Sequence, residues 1–296
     1  MGKLALMIYN PVSGKKRNHK YTEILLVKLK EIGYKVTVNS SNEWKENEEA
    51  IQEACKDHWD AIFIAGGDGT IKSTLQCLAE QNYRPTLGIF PFGTSNEFAK
   101  FIGMPSNLME VLSIIKKGKT KKVDIGKFGN RYFANIAAGG WLTDITYKTP
   151  TVLKTYFGEF AYCLYFIKAI LHGKQSNKIS IRVTPKKELS DLSNFIIMNG
   201  NSVGPLESLI TNTTPLDNGY FHLLTCKKTN RIRLFFALFA KMLHLTETVA
   251  PLNYYKIKSG SFSTSENVIV NLDGDQVDVD NMEFVVLPHH IQVFVP

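Results

Sequence analysis

Residues 61–65 (Ala-Ile-Phe-Ile-Ala) form an unbroken apolar run, followed at once by Gly66-Gly67-Asp68-Gly69-Thr70 and then by Ile71, Leu75 and Leu78. The run predicts a strand buried on both faces, and the i, i+4, i+7 spacing predicts an amphipathic helix. This unit constrains the fold more than any other segment. A strand buried on both faces needs helices above and below it, so the sheet is open and α/β, and such sheets bind ligands at the carboxyl ends of their strands. Three glycines let backbone N–H groups approach an oxyanion closely, and the following helix N-terminus adds partial positive charge. The loop is therefore a candidate phosphate cradle, with the Asp68 carboxylate inside it and the Thr70 hydroxyl beside it. A plain strand-to-helix turn needs less glycine than this. The G-K-[ST] ending of a Walker A loop is missing, and Gly67-Asp68-Gly69-Thr70-Ile71-Lys72 ends in lysine, which excludes G-x-G-x-x-G.

The surrounding segments repeat the alternation. Residues 4–8, 34–38 and 87–90 read as strands. Helices are predicted from Leu25, Leu29 and Ile32 with a stop at Gly33, from Ala50, Ile51 and Ala54, and over 96–102. Near Lys121 the pattern changes. Residues 123–128 and 132–137 flank Gly129-Asn130 as a hairpin, and short strands follow at 179–183, 194–198, 219–225, 256–263, 268–272 and 284–287, interrupted by helical stretches at 154–171 and 231–245. A chain of 296 residues suits two domains of roughly 130–160 residues each. The expected organisation is an open-sheet α/β domain over 1–125 and an antiparallel β-rich sandwich over 126–287. The last residues, 288–296, are free to return to the first domain.

Composition narrows the partners. The net charge of +8 favours anionic ones, namely nucleotides or an acidic membrane face. Nucleic acid is not expected, because the lysines cluster in loops, as at 116–122, and not along an aromatic-studded strand or recognition helix. Four scattered cysteines without a C-x-x-C pair suit a reducing compartment, the cytoplasm. No run approaches the ~20 apolar residues of a membrane span. The two longest candidates are broken by Lys168 and Lys241, and the opening apolar run is too short for a signal peptide.

Two further loops fall at predicted strand ends: Asn10-Pro11-Val12-Ser13-Gly14-Lys15-Lys16 after the first strand, and Pro91-Phe92-Gly93-Thr94-Ser95-Asn96 before a helix. Either alone is an ordinary loop. With the glycine loop they line one edge of one sheet, and Ser40, just past the second strand, is counted with them.

These segments resemble the nucleotide-binding motifs of the diacylglycerol kinase catalytic domain family, which includes soluble bacterial diacylglycerol kinases and sphingosine kinases. The matching residues are Asn-Pro-x-Ser-Gly at 10–14, Gly-Gly-Asp-Gly-Thr at 66–70 and Gly-Thr-Ser-Asn-Glu-Phe-Ala at 93–99. They continue through Val-Asp-Ile-Gly at 123–126, Tyr-Phe-Ala-Asn at 132–135, Asn-Gly at 199–200 and Leu-Asp-Gly-Asp at 272–275. NAD kinases and phosphofructokinases carry relatives of the 66–70 motif alone, and the first domain is expected to be like theirs.

The resemblance implies ATP and Mg²⁺ as cofactors and a membrane lipid, such as diacylglycerol, as phosphoryl acceptor. It implies peripheral contact with the inner face of the membrane, and a homodimer. Asn10, Pro11, Ser13, Gly14, Lys15, Ser40, Gly66, Gly67, Asp68, Gly69, Thr70, Gly93, Thr94 and Asn96 are the expected nucleotide-binding residues. Asp68 and Asp124 are the expected Mg²⁺ carboxylates. Asp275 is implied as the proton acceptor, with Asp273 beside it, since two close carboxylates repel and raise a pKa. From position alone, Asp273-Gly274 reads as a hairpin turn.

The resemblance also implies a structural Mg²⁺ at Asp217 and Asn218. The chain departs from the family at three places: Lys72-Ser73 replaces Asn-Glu, Asp275 replaces glutamate, and Asn218 replaces aspartate. These departures leave one alternative to the lipid kinase, a weak or inactive nucleotide- and lipid-binding regulator, and the shared 66–70 motif leaves a second, a kinase of a soluble nucleotide such as NAD, which should carry the missing Asn-Glu pair. For the lipid, the sequence offers an apolar stripe at Leu234, Phe235, Leu238, Phe239, Met242 and Leu245, and an aromatic group at Trp141, Tyr156, Phe157, Phe160 and Tyr165.

Overall fold

The computed structural model describes residues 2–9, 18–40, 43–140, 179–185, 187–200, 217–230, 252–264, 270–277 and 282–296. The chain divides into two compact units, Met1–Ile125 with His289–Pro296, and Gly126–Pro288. The predicted helices at 154–171 and 231–245, with Trp141 and its aromatic group, lie outside the described residues.

The first unit is built on a parallel sheet. β1 (Lys3–Tyr9) lies between β2 (Tyr34–Asn39) and β3 (Ala61–Gly66), and β3 pairs with β4 (Thr86–Pro91). The long last strand, β15 (Glu283–Phe294), closes this sheet where Val293 registers with Leu87. Residues 284–287 and the returning segment up to Phe294 thus belong to one strand. Every residue of β3 is buried, as its apolar run requires. Phe63 anchors that core, edge-on to Tyr34 and stacked on Phe294. Gly88 on the neighbouring strand makes room for it, since a Cβ there would stand 2.6 Å from the Phe63 ring.

Helices α1 (Asn18–Glu31), α2 (Trp44–Lys56), α3 (Asp68–Ala79), α4 (Glu97–Phe101) and α5 (Leu108–Lys117) follow the strands. α5 corrects the expectation of a lysine-rich loop at 116–122. Asn107 caps α5, its Oδ1 accepting from the Met109 and Glu110 N–H groups, and Gly118 ends it at φ 70°. Lys116 and Lys117 form its last turn, where cations suit the helix dipole, and Lys121 and Lys122 already belong to β5 (Thr120–Phe128).

In the second unit every strand pair is antiparallel. From Gly126 on, β5 pairs with β6 (Arg131–Phe133). A longer path runs through β14 (Asp275–Val277), β13 (Val270–Leu272), β7 (Ile136–Gly140), β9 (Lys187–Met198), β8 (Ile179–Thr184), β12 (Ser259–Thr264) and the first half of β15. β10 (Phe221–Lys227) adds to β9, and β11 (Leu252–Ile257) adds to β10. The single strand expected over 256–263 is two strands broken at Lys258, whose N–H donates to the Thr184 carbonyl and whose carbonyl accepts from Val286 N–H. The strand expected over 132–137 also breaks, at Ala134 and Asn135. The core is aromatic. Phe195 packs on Phe262 at 4.6 Å and on Phe128 at 6.0 Å, and Phe133 meets Phe221 edge-on at 5.7 Å. No helix among the described residues is long and apolar enough to cross a membrane.

Candidate active site

The strand register brings the carboxyl ends of β1 to β4 to one edge of the first unit. Tyr9 pairs with Ala65, Ile8 with Asn39, and Gly66 with Pro91. Ser40 follows Asn39 there and is exposed. Asn10, Pro11, Ser13, Gly14 and Lys15 lie outside the described residues.

The two glycine loops meet at this edge. Phe92 N–H donates to the Gly66 carbonyl at 3.0 Å, extending the β3–β4 ladder into both loops. A Cβ on Gly93 would stand 2.7 Å from the Gly67 Cα, and one on Gly67 would stand 3.1 Å from the Gly93 Cα. The loops therefore touch backbone to backbone, and both positions need glycine for that approach. Gly66 lies under Thr70, where a Cβ would come within 2.7 Å of the Thr70 Oγ1. Gly69 differs: no described atom lies within 4 Å of where its Cβ would be. Among the described residues nothing gives a steric reason for that glycine.

α3 begins in this cradle. Gly67 is its N-cap and accepts the first helical hydrogen bond, from Ile71 N–H at 3.1 Å. The first-turn N–H groups, Asp68 and Gly69 among them, have no intrahelical acceptor and carry the positive end of the dipole. Asn96 braces the second loop in the left-handed region at φ 51°. Its Oδ1 accepts from Gly93 N–H at 2.9 Å, and its Nδ2 donates to the Gly93 carbonyl at 2.8 Å. Its amide is thus committed to shaping the loop, and the exposed groups there are Thr94 and Ser95.

Two carboxylates of this unit behave differently. Asp68 Oδ1 is buried and has no hydrogen-bond partner among the described residues. A buried, unpaired carboxylate oxygen is expensive unless a ligand answers it. Mg²⁺ keeps several waters and takes only one or two protein carboxylates, so Asp68 beside a phosphate cradle fits that ion. Asp124 on β5 is 1% exposed, and its Oδ1 accepts from His289 N–H at 2.7 Å, holding β15 where its backbone turns to φ 53°. Among the described residues no three His, Cys, Asp or Glu side chains cluster around a possible metal position.

The second unit gathers three of the sequence motifs. Asp273 receives three backbone N–H groups: Ala134 on Oδ2 at 2.7 Å, and Asn135 and Ile136 on Oδ1 at 2.9 and 2.8 Å. Its own N–H donates to the Ile136 carbonyl at 2.9 Å. Asn199 locks the same segment from the other side, its Nδ2 donating to the Ala134 carbonyl and its N–H to the Asn135 carbonyl, each at 2.9 Å. Asn271 Oδ1 accepts from Gly274 N–H at 2.9 Å.

Asp273 and Gly274 both have positive φ, 48° and 91°, and join β13 to β14 as a two-residue hairpin with Leu272 opposite Asp275. Asp275 opens β14 and is exposed. Sequence reading placed Asn135 and Asn199 in matching motifs without assigning them a role, and did not single out Asn271. The partners are remote, 65 positions away for Asn199 and 138 for Asn135, so no local pattern shows what they hold. At the other predicted metal position, Asn218 Oδ1 accepts from Tyr220 N–H at 2.9 Å, a local turn ahead of Gly219 at φ 71°.

Comparison with known proteins identifies the family. The diacylglycerol kinase catalytic domain profile matches residues 4–128. A diacylglycerol kinase of Staphylococcus epidermidis is 34% identical over 300 aligned positions, covering 100% of this chain and 93% of its own. A diacylglycerol kinase of Staphylococcus saprophyticus is 33% identical, covering 100% and 96%. The crystal structure of a diacylglycerol kinase from Bacillus anthracis strain Sterne, 21% identical, superposes with a TM-score of 0.75 over 100% of this chain and 97% of that one. The chain belongs to the diacylglycerol kinase catalytic domain family and is a kinase.

Proposed function

We propose that the chain transfers the γ-phosphoryl group of Mg²⁺-ATP to the hydroxyl of a membrane lipid, diacylglycerol, giving phosphatidic acid. The observation that carries this reading is the unanswered Asp68 oxygen inside a cradle of two touching glycine loops. The names of the staphylococcal relatives support the lipid as acceptor.

Phosphoryl transfer asks a protein mainly for positioning and charge stabilisation. The first-turn N–H groups of α3 and the loop from Gly93 to Asn96 bind the triphosphate, and the family resemblance assigns Asn10, Ser13, Gly14 and Lys15 to the same nucleotide. Asp68 would hold the metal, whose chemistry when bound is to neutralise charge on the phosphate oxygens. Asp124 serves the fold through His289. Asp275 accepts the proton of the lipid hydroxyl as the new O–P bond forms and the bond from Pγ to the ADP oxygen breaks. Asp273 is its positioning residue, because it ties the turn to residues 134–136. The net charge of +8 draws the protein to the anionic cytoplasmic leaflet, where the acceptor lies.

The test is incubation with labelled ATP, Mg²⁺ and vesicles containing dioleoylglycerol. Label should enter phosphatidic acid. Label confined to a soluble acceptor such as NAD, or no transfer to lipid, contradicts the reading.

A further inference from the structure

We propose that Asn135 is a positioning residue for the acceptor lipid, its side-chain oxygen taking a hydrogen bond from the lipid's hydroxyl. The inference rests on the lipid-kinase reading and deepens it.

Asn135 is 9% exposed, and its Oδ1 is buried without a hydrogen-bond partner among the described residues. The segment around it is not loosely made. Its own N–H goes to Asp273, and its carbonyl receives Asn199 N–H. The neighbouring carbonyls of Ala134 and Ile136 are answered by the Asn199 amide and by Asp273 N–H. In this saturated segment one strong acceptor is left over. Leaving it so costs about 1–3 kcal/mol, and an apolar residue of similar size would avoid that.

The chemistry of the missing partner follows from the atom. A carboxamide oxygen accepts hydrogen bonds or ligates a cation, and with no cluster of metal-ligating side chains among the described residues the partner is a hydrogen-bond donor, an O–H or N–H. The triphosphate of ATP offers acceptors and is excluded. The acceptor lipid's hydroxyl is a donor. Position supports it, because the carboxylate that fixes the Asn135 backbone, Asp273, is two residues from Asp275, the assigned base. Asn135 holds the hydroxyl in the ground state, and the proton passes to Asp275 as the oxygen attacks.

The experiment compares wild type, N135L and N135D, measuring kcat and KM for dioctanoylglycerol, KM for ATP, direct binding of dioctanoylglycerol by calorimetry, and Tm. N135L removes the acceptor at similar volume. It should raise the lipid KM and Kd roughly five- to ten-fold, with kcat no lower than wild type, the ATP KM within about two-fold, and a Tm no lower than wild type. N135D keeps an acceptor oxygen in either protonation state and should keep lipid binding within about two-fold.

A lipid KM and Kd unchanged in N135L would assign the oxygen to a buried water and overturn the proposal. An ATP KM rising in parallel, or N135D impaired as much as N135L, would also overturn it. If leucine prevents folding, N135A is read in its place with the same expectations for binding. Wild-type protein that neither phosphorylates nor binds the lipid removes the lipid-kinase reading itself. Wild-type turnover with an indifferent N135L removes only Asn135.

Discussion

Asp68 and Asp273 are both partly buried aspartates in glycine-containing turns, yet they are used in opposite ways. Asp68 opens a helix in the first unit and keeps a buried oxygen with no hydrogen-bond partner among the described residues. Asp273 turns a hairpin in the second unit and takes three backbone N–H groups. A carboxylate saturated by the fold belongs to the fold, and one left unanswered belongs to a ligand. Motif reading placed both in the chemistry. Hydrogen-bond accounting separates them, and Asp275, which opens the strand after the same turn, is exposed.

The largest effect expected is on Asp275. Asp275→Asn should lower kcat by ~10³-fold, within the range of a lost general base, with ATP affinity and Tm unchanged. Steady-state kinetics beside nucleotide titration reads this, and near-wild-type turnover would put the base elsewhere.

Asp273→Ala probes the structural side of the comparison. Three N–H groups lose their acceptor, and unfolding free energy should fall by roughly 3 kcal/mol in urea titration. A variant as stable as wild type but inactive would make Asp273 catalytic and erase the contrast.

His222 asks how the second unit answers acid. It is fully buried on β10, hydrogen-bonded to the Tyr254 hydroxyl, and burial together with the Lys256 charge pulls its pKa down to about 4. The unfolded chain therefore takes up this proton first. The stability held by the neutral imidazole is full above about pH 6.5 and is lost as pH falls toward 4, by roughly 2–3 kcal/mol in all. Replacing His222 with Gln should flatten that part of the Tm-against-pH curve, and an unchanged slope would contradict the assignment.

The smallest effect is Gly93→Ala. The new Cβ meets the Gly67 backbone at 2.7 Å, and overpacking of this kind costs roughly 1–2 kcal/mol. The strain should appear as weaker ATP binding as well as a lower Tm. An ATP affinity equal to wild type would mean that the two loops do not act as one cradle.

What the sequence showed of this contrast was its local half. The β3–loop–α3 unit is legible because a strand buried on both faces is written as an apolar run and its glycines follow directly. Asp273-Gly274 was legible as a hairpin turn for the same reason. α5 was missed although Val111, Leu112, Ile114 and Ile115 give it a buried stripe. Its last-turn lysines looked like a solvated loop, where they are ordinary helix C-terminal cations. The break at Lys258 was hidden because its hydrogen bonds go to Thr184 and Val286, remote in sequence. The clamp on residues 134–136 was hidden likewise, since its donors lie 137 to 139 positions from Asp273. Local pattern carries the motifs, and the long-range hydrogen bonds around them are visible only in the fold.

The most direct test is one calorimetric comparison of wild type and Asp68→Asn, with Mg²⁺-ATP titrated into each and the Tm of each taken without ligand. The account predicts that Asp68→Asn weakens Mg²⁺-ATP binding about 10²-fold while the unliganded Tm stays at the wild-type value. A lower unliganded Tm with Mg²⁺-ATP affinity intact would show that the fold, not a ligand, uses this carboxylate.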